Sequence, residues 1–453
     1  MLSKLTLLAG IAAAKTEAVH ADSKQDHWAI IVAGSKGYGN YRHQADACHA
    51  YQIAIKNGIP AEQIISIMED DVANSRSNPF PGKIFNKPSA AGTPGVDVYA
   101  GCNIDYKGKQ ATAETLLKVM KGDATAGGKV LKSDANSKIF WYFADHGAPG
   151  LVAMPNGKYL YADELHETVK YMHTNKMYKE MVMYMEACES GSMFEHILED
   201  DINVYAVSAA NAKESSWGTY CSPDDKVDGK DMHTCLGDLF SVNWMEDSDK
   251  GKMAQETMLM QYNTVKKLTA KSHVLQWGEL SIAAEPIGNF QAGSISMPKD
   301  LWSNLKYFGK DLIKNQLHVE ENLAVNQKKN DFAVDSRDIK LHYLYMDVLH
   351  NPSKESQEAL MKELAHRLHI DGIFDKVFPQ FMTDVKNGTY PTIEDYDCYR
   401  MIINQYTEAC GEPDTYTMKY FKAFASQCQA QKYYPAANAD MKAKLTTACG
   451  EQQ

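Results

Sequence analysis

Two apolar runs in this chain end on residues that do covalent chemistry. Lys138-Ile-Phe-Trp-Tyr-Phe-Ala-Asp-His-Gly147 closes on His146, and Met181-Val-Met-Tyr-Met-Glu-Ala-Cys-Glu-Ser-Gly191 carries Cys188 near its end. A thiol at its free pKa is mostly protonated at neutral pH, and a neighbouring imidazole stabilises the thiolate that attacks a carbonyl carbon. The same imidazole, once charged, returns its proton to a leaving amine. Gly147 lets a backbone N–H approach the substrate without a side chain in the way; with the N–H of Cys188 it supplies two donors for the oxyanion of a tetrahedral intermediate.

Such a pair works only if the two runs are strands of one sheet, because functional groups gather beyond the carboxyl ends of strands in an open parallel sheet. The sequence supports this. From Trp28 to about Trp277, short apolar runs alternate with longer amphipathic stretches, the pattern of a mostly parallel sheet covered by helices. Expected strands are Trp28–Ala33, Ile64–Met68, Lys138–Ala144, Met181–Glu186, Ile202–Ser208 and His273–Trp277. Residues 74–108 are rich in Pro and Gly without periodicity and read as a long surface excursion or small hairpin. After Gly293 the chain is polar to residue 336 and reads as a linker. From Arg337 onward only helical stretches follow, broken near Asn351-Pro352, Asn387-Gly388, Gly411-Glu412-Pro413 and Tyr434-Pro435.

At 453 residues the chain exceeds one ordinary core, which predicts a catalytic-size domain and a smaller partner. The organisation expected is residues 1–21 as a signal peptide and N-terminal segment, 22–293 as the catalytic-size domain, 294–336 as a linker or activation segment, and 337–453 as a helical domain. A net charge of -11 offers no basic surface for phosphate and argues against nucleic acid. Lys4, the apolar Leu5–Ala14 stretch and small residues read as a cleaved signal, and no other run is long enough to span a membrane. Of nine cysteines, four fall in the last 56 residues, a density that suggests two disulfides with three pairings open. Cys221 and Cys235 bracket a polar stretch and read as the staple of a surface loop. Cys48, Cys102 and Cys188 remain, and one of three must be odd.

Six ordered blocks carry a resemblance: Asn40-Tyr-Arg-His-Gln-Ala-Asp-Ala-Cys-His-Ala-Tyr51, Asp145-His-Gly147, Glu186-Ala-Cys-Glu-Ser-Gly-Ser192, Asp200-Asp-Ile-Asn-Val-Tyr205, Ala210-Asn-Ala-Lys-Glu-Ser-Ser216 and Ser241-Val-Asn-Trp-Met-Glu-Asp-Ser-Asp249. Together they resemble the legumains, the asparaginyl endopeptidases also called vacuolar processing enzymes. The resemblance implies an α/β caspase-like fold followed by an all-α prodomain, and a thiol peptidase cutting after Asn, or after Asp in acid, made as a zymogen for a lysosome, vacuole or the extracellular space. It makes Cys188 the nucleophile, His146 the acid/base, Asn40 the group that orients it, and Asp145 a succinimide-prone neighbour. The specificity pocket it implies is Arg42, His43, Glu186, Ser215 and Asp238. It also implies the pairs Cys398–Cys428 and Cys410–Cys449, and the Cys221–Cys235 loop resembles the plant type. Asn322, Asn326, Asn330, Asp331 and Asp335 in the linker are the self-cleavage candidates. Partners are peptide and protein substrates with an exposed Asn and the chain's own prodomain; transfer of the acyl group to an amine, making a peptide ligase, is the alternative.

The pocket set also makes physical sense by itself. An Asn side chain offers an NH2 donor and a carbonyl acceptor, which carboxylates at Glu186 and Asp238 and a guanidinium at Arg42 satisfy from opposite ends. The chemistry needs no cofactor. Gly34-Ser-Lys-Gly-Tyr-Gly39 follows a strand and opens a helix, so a dinucleotide site is the rival, but its order is G-x-x-G-x-G and the glycines that admit a pyrophosphate are misplaced. His166-Glu-Thr-Val-Lys170 lacks the second His of a zinc helix, Asp247-Ser-Asp-Lys-Gly251 is too short for a calcium loop, and no metal set is assigned.

Overall fold

The computed structural model describes residues 26–157, 159–293, 327, 329–433 and 441–450; the expected signal and the candidates Asn322 and Asn326 lie outside these. Six strands form the central sheet: β1 (His27–Ala33), β2 (Ile64–Ile67), β3 (Lys138–Ala144), β4 (Glu180–Glu186), β5 (Val204–Ser208) and β8 (Leu275–Gly278). Their order is β8–β5–β4–β3–β1–β2, parallel except for β8, which runs antiparallel to β5. The apolar runs are continuous because both faces are covered. In β3, Phe140, Tyr142 and Ala144 enter one core, and Ile139, Trp141 and Phe143 enter the other. The first core is closed by α1 (Tyr41–Lys56), α4 (Leu239–Ser248) and α5 (Met258–Leu268), the second by α2 (Ala113–Met120) and α3 (Ala162–Thr174).

A small second sheet stands beside the strand ends. In it β6 (Trp217–Thr219) pairs antiparallel with both β7 (Gly237–Asp238) and β9 (Val334–Asp335). Thus part of the stretch read as linker is a strand, and Lys329 is buried on Asn243 and Glu246. The 74–108 excursion forms no ladder strand. Asn78 knits it together through Nδ2 to the carbonyls of Ala73 and Lys83, and Cys48–Cys102 ties it to α1. Closing that 54-residue separation contributes about 4 kcal/mol on a chain-entropy account. The two cysteines left open by sequence are therefore bonded to each other.

The C-terminal helices are α6 (Ile339–His350), α7 (Lys354–Val377), α8 (Tyr396–Cys410), α9 (Phe421–Tyr433) and α10 (Met441–Gly450). Their core is aromatic, with Phe374 stacked on Tyr420 at 4.3 Å and further contacts to Tyr406 and Phe424. Cys398–Cys428 joins α8 to α9, and Cys410–Cys449 joins α8 to α10. This helical unit lies on the peptidase-size domain. Ala148, Leu151 and Tyr161 enter its core, Arg400 stacks on Tyr161 and reaches Asp163 at 2.6 Å, and the Tyr390 hydroxyl donates to the Ala212 carbonyl.

Candidate active site

Register brings the two reactive residues together. Ala144 of β3 pairs with Glu186 of β4, and His146 and Cys188 each lie two residues beyond that pair on adjacent parallel strands. Gly147 passes directly against the Cys188 carbonyl: a Cβ there would sit 2.1 Å from that oxygen, so only glycine fits. Beyond Cys188 the chain turns through Glu189 at φ 50, and Gly191 packs on the backbone of Asn211 and Ala212.

Asn40 precedes α1 but does not cap it. Its Nδ2 donates to the Lys36 carbonyl, which turns Oδ1 toward His146 Nε2 at 2.8 Å. An accepting Oδ1 fixes the proton on Nε2 and leaves Nδ1 as the basic nitrogen; Nδ1 is buried and has no hydrogen-bond partner. Burial, then the Arg42 and Arg337 charges, hold the imidazole well below its usual pKa. The Cys188 Sγ accepts from the Ser216 N–H at 3.4 Å. Burial pushes this thiol up to about 11, against the pull of Arg337. The dyad in this form is neutral.

The candidate pocket residues come from four elements. Arg42 and His43 lie in the first turn of α1, Glu186 ends β4, Asp238 ends β7, and Ser215 precedes β6. Arg42 Nε donates to Asp238 Oδ1 at 2.8 Å, and Ser241 donates both its N–H and its hydroxyl to Glu186 Oε2 at 2.9 Å. Three buried polar atoms make no hydrogen bond: Arg42 Nη2, Glu186 Oε1 and Asp238 Oδ2, the last with His43 Nε2 at 3.5 Å. His43 lies between Asp145 and Asp238 and bonds Ser35 through Nδ1 at 2.6 Å. Ser215 stands apart from this cluster, its hydroxyl against Asp335.

Asp145 is buried, and burial drives its carboxyl well above the usual range. Gly34 makes room for it, since a Cβ there would lie 2.5 Å from Asp145 Oδ2; the first glycine of the rival dinucleotide loop is thus explained by packing. His43, Asp145 and His146 place donor atoms within 4.8 Å of one another, the one such trio among the described residues. A cation there would have to displace the Ser35 bond to His43 and the Asn40 bond to His146.

The rest of the cleft is filled by the chain itself. Val334–Asp335 adds to β6 as a strand, the Ser336 N–H donates to the Ser216 carbonyl at 3.1 Å, and the Ser336 and Ser216 hydroxyls lie 3.2 Å apart. Arg337 then reaches Glu189 Oε2 at 2.5 Å and the carbonyls of Gly147 and Thr415. Lys422 from α9 holds the other oxygen of Glu189 at 2.8 Å. A cavity of about 170 Å3 remains between Asn40, Arg42 and His146 on one side and Arg337, Arg367 and Tyr416 on the other. Of the linker candidates, Asp335 lies in this cleft, Asn330 bonds the Leu268 carbonyl and the Ala270 N–H, and Asp331 is exposed. Sequence reasoning missed Ser216, Glu189, Arg337 and Lys422. Glu189 follows the cysteine directly, and its acidic side chain beside a nucleophile was the one signal available.

Residues 27–293 match the model of the peptidase C13 family, and residues 358–449 match that of the legumain prodomain. The chain is 39% identical over 437 residues to a vacuolar-processing enzyme of Ricinus communis, covering 90% of this chain and 82% of that protein. It is 40% identical over 429 residues to the vacuolar-processing enzyme delta-isozyme of Arabidopsis thaliana (90% and 87% covered), and 35% identical over 457 residues to legumain of Canavalia ensiformis (95% and 90% covered). The crystal structure of caspase-1 from Spodoptera frugiperda is 11% identical with a TM-score of 0.33, covering 54% of this chain and 79% of that one.

Proposed function

This chain is a cysteine peptidase of the peptidase C13 family with a legumain prodomain, and we propose that it hydrolyses peptide bonds after Asn, is made latent, and frees itself in acid. The observation that carries the specificity is the set of three orphaned atoms. A carboxamide fits them: its oxygen accepts from Arg42 Nη2, and its NH2 donates to Glu186 Oε1 and Asp238 Oδ2. An ionised Asp side chain would meet two carboxylates there, so only its protonated form imitates the amide.

In the reaction, His146 Nδ1 takes the thiol proton as Sγ of Cys188 attacks the carbonyl carbon, forming the C–S bond. The carbonyl electron pair moves to oxygen, where the N–H groups of Gly147 and Cys188 hold it. Collapse breaks the C–N bond, and His146 protonates the departing amine. Water, deprotonated by the same nitrogen, then breaks the thioester. Two of the relatives are named vacuolar-processing enzymes, which favours water over an amine as the acceptor and a vacuolar setting.

Latency follows from Val334–Arg337 in the cleft and from the paired cations on Glu189. Carboxylates that pair with cations across the domains lose that pairing when protonated, which favours separation as pH falls. The test is to hold the full chain at pH 4 and pH 7, follow its mass, and assay peptides differing only in Asn, Asp, Gln or Ala before the cut. Neutral activity with the prodomain intact contradicts latency; equal turnover of Asn and Ala contradicts the pocket.

A further inference from the structure

Behind the pocket residues lies a further buried carboxyl group. Asp46 stands one helical turn after Arg42 on α1 and is fully buried. Its Oδ1 accepts from Asn86 Nδ2 at 2.7 Å, its Oδ2 accepts from the Asp238 N–H at 3.1 Å, and its carboxyl lies within hydrogen-bonding reach of the Asp238 carboxyl. Asn86 is itself pinned, donating to the Leu236 carbonyl and meeting His49 Nδ1 at 2.7 Å, while His49 Nε2 faces Asp249 at 3.1 Å. The enclosure is tight at Gly237, where a Cβ would lie 2.9 Å from Asn86 Nδ2 and 3.0 Å from Asp46 Oδ1.

Charge then assigns the proton. Asp46, Glu186 and Asp238 are buried around a single guanidinium, Arg42, and three carboxylates cannot all ionise against one positive charge. Asp238 holds the guanidinium, so Asp46, which pairs with no cation among the described residues, keeps the proton and can donate it along the contact between the two carboxyls. We propose that Asp46 is a specificity-determining positioning residue for the pocket: it grips Asp238 through both the backbone N–H and the side chain, and so holds Asp238 Oδ2 as an acceptor aimed at the substrate NH2. Burial, and after it the Asp238 charge, push the Asp46 carboxyl well above the usual range; burial raises Asp238 too, but Arg42 and Asp46 act against it. Without Asp46, Asp238 keeps only the Arg42 bond to Oδ1 and the longer His43 contact to Oδ2 at 3.5 Å, a weaker hold on the direction of its acceptor.

This inference rests on the reading that the pocket takes Asn, and the experiment separates the two. The full chain and its Asp46→Ala and Asp46→Asn variants are activated in acid and assayed at pH 7 on paired Asn and Asp peptides, with thermal unfolding of each zymogen as the folding control. A wild type without Asn preference fails the earlier reading. Given that preference, Asp46→Ala is expected to raise KM for the Asn peptide about tenfold and to reduce the Asn-over-Asp ratio about tenfold, with kcat within about threefold. Asp46→Asn keeps a carbonyl for the Asp238 N–H but sets a donor-only NH2 where Oδ1 accepts from Asn86 Nδ2, so it is expected to restore only part of both losses, to within about fivefold of wild type. If the alanine variant does not fold, Asp46→Ser, with a hydroxyl too short to reach the Asp238 side chain, is read by the same criteria. Unchanged KM and ratio in the truncated variant, or no restoration by Asn, overturns the proposal.

Discussion

Glu186 and Glu189 stand three residues apart on either side of the candidate nucleophile, both buried, and the protein treats them in opposite ways. Glu186 is served from within the peptidase domain, by Ser241, and is left with one oxygen unpartnered. Glu189 is charge-paired from outside it, Oε2 with Arg337 and Oε1 with Lys422 of the C-terminal part, although Oε1 accepts no well-aligned hydrogen bond. A buried oxygen with neither hydrogen bond nor cation is unfavourable and calls for a partner; a carboxylate paired with two cations stabilises the state that supplies them. If the pocket atoms take the substrate amide as proposed, only the nucleophile side is locked, and latency does not require the specificity residues to be rearranged.

The widest break in that comparison comes from removing the nucleophile. Cys188→Ala is expected to lower peptide cleavage by about 10⁴-fold or more, with unfolding temperature and prodomain docking unchanged. Residual cleavage above the trace expected of contaminants moves the chemistry elsewhere. Asp238→Asn tests the pocket half alone: it replaces a carboxylate by an amide at Oδ2, and the Asn-over-Asp ratio at neutral pH is expected to fall about tenfold to a hundredfold while the dyad still reacts with iodoacetamide. In the wild type, Asp cleavage gains as pH falls, because protonation of the Asp side chain and of the raised Glu186 and Asp238 carboxyls removes the repulsion. The lock half is tested by Arg337→Ala, which takes one of two cations from Glu189 and clears the path to Cys188; zymogen self-cleavage near neutral pH is expected to quicken about tenfold by intact mass. A rate equal to wild type would place latency on Lys422 and the strand pairing alone.

Much of the pocket half was legible in the sequence, and little of the lock half was. β3 and β4 are apolar on both faces because helices cover both, and that made their ends, His146 and Cys188, visible as runs closing on reactive groups. The antiparallel sense of β8 was not visible, since Leu275–Gly278 shows the same short apolar signal in either direction. Cys48–Cys102 was hidden by an excursion without periodicity, in which proximity is set by loop contacts such as Asn78 rather than by pattern. Val334–Asp335 is a strand only because β6 offers it an edge, and two residues carry no periodicity of their own. Arg337 meets Glu189 across 148 residues of chain, and Asp46 bears on Asp238 across 192. No local propensity encodes such a contact; it exists only after two elements have docked.

The finest test concerns how acid opens the lock, and it falls on His342 of α6. Its Nε2 lies 3.0 Å from the Ser222 carbonyl on the Cys221–Cys235 loop, with Asp225 and the Tyr343 hydroxyl beside it. Burial lowers its pKa in the docked zymogen, against the smaller raising effects of the Ser222 carbonyl and Asp225. Once α6 leaves the loop, the imidazole regains an ordinary pKa near 6.5. The released state therefore binds the proton better, so this contribution to docking is complete above about pH 6.5 and is lost as pH falls through and below it. His342→Gln keeps a donor for the Ser222 carbonyl but cannot charge, and the pH midpoint of self-activation is expected to move toward acid by about 0.3 to 0.5 unit. His342→Arg, charged throughout, is expected to move it the other way. Activation read by mass at half-unit steps of pH decides the matter: a midpoint identical in all three proteins assigns the acid response wholly to the bridging carboxylates.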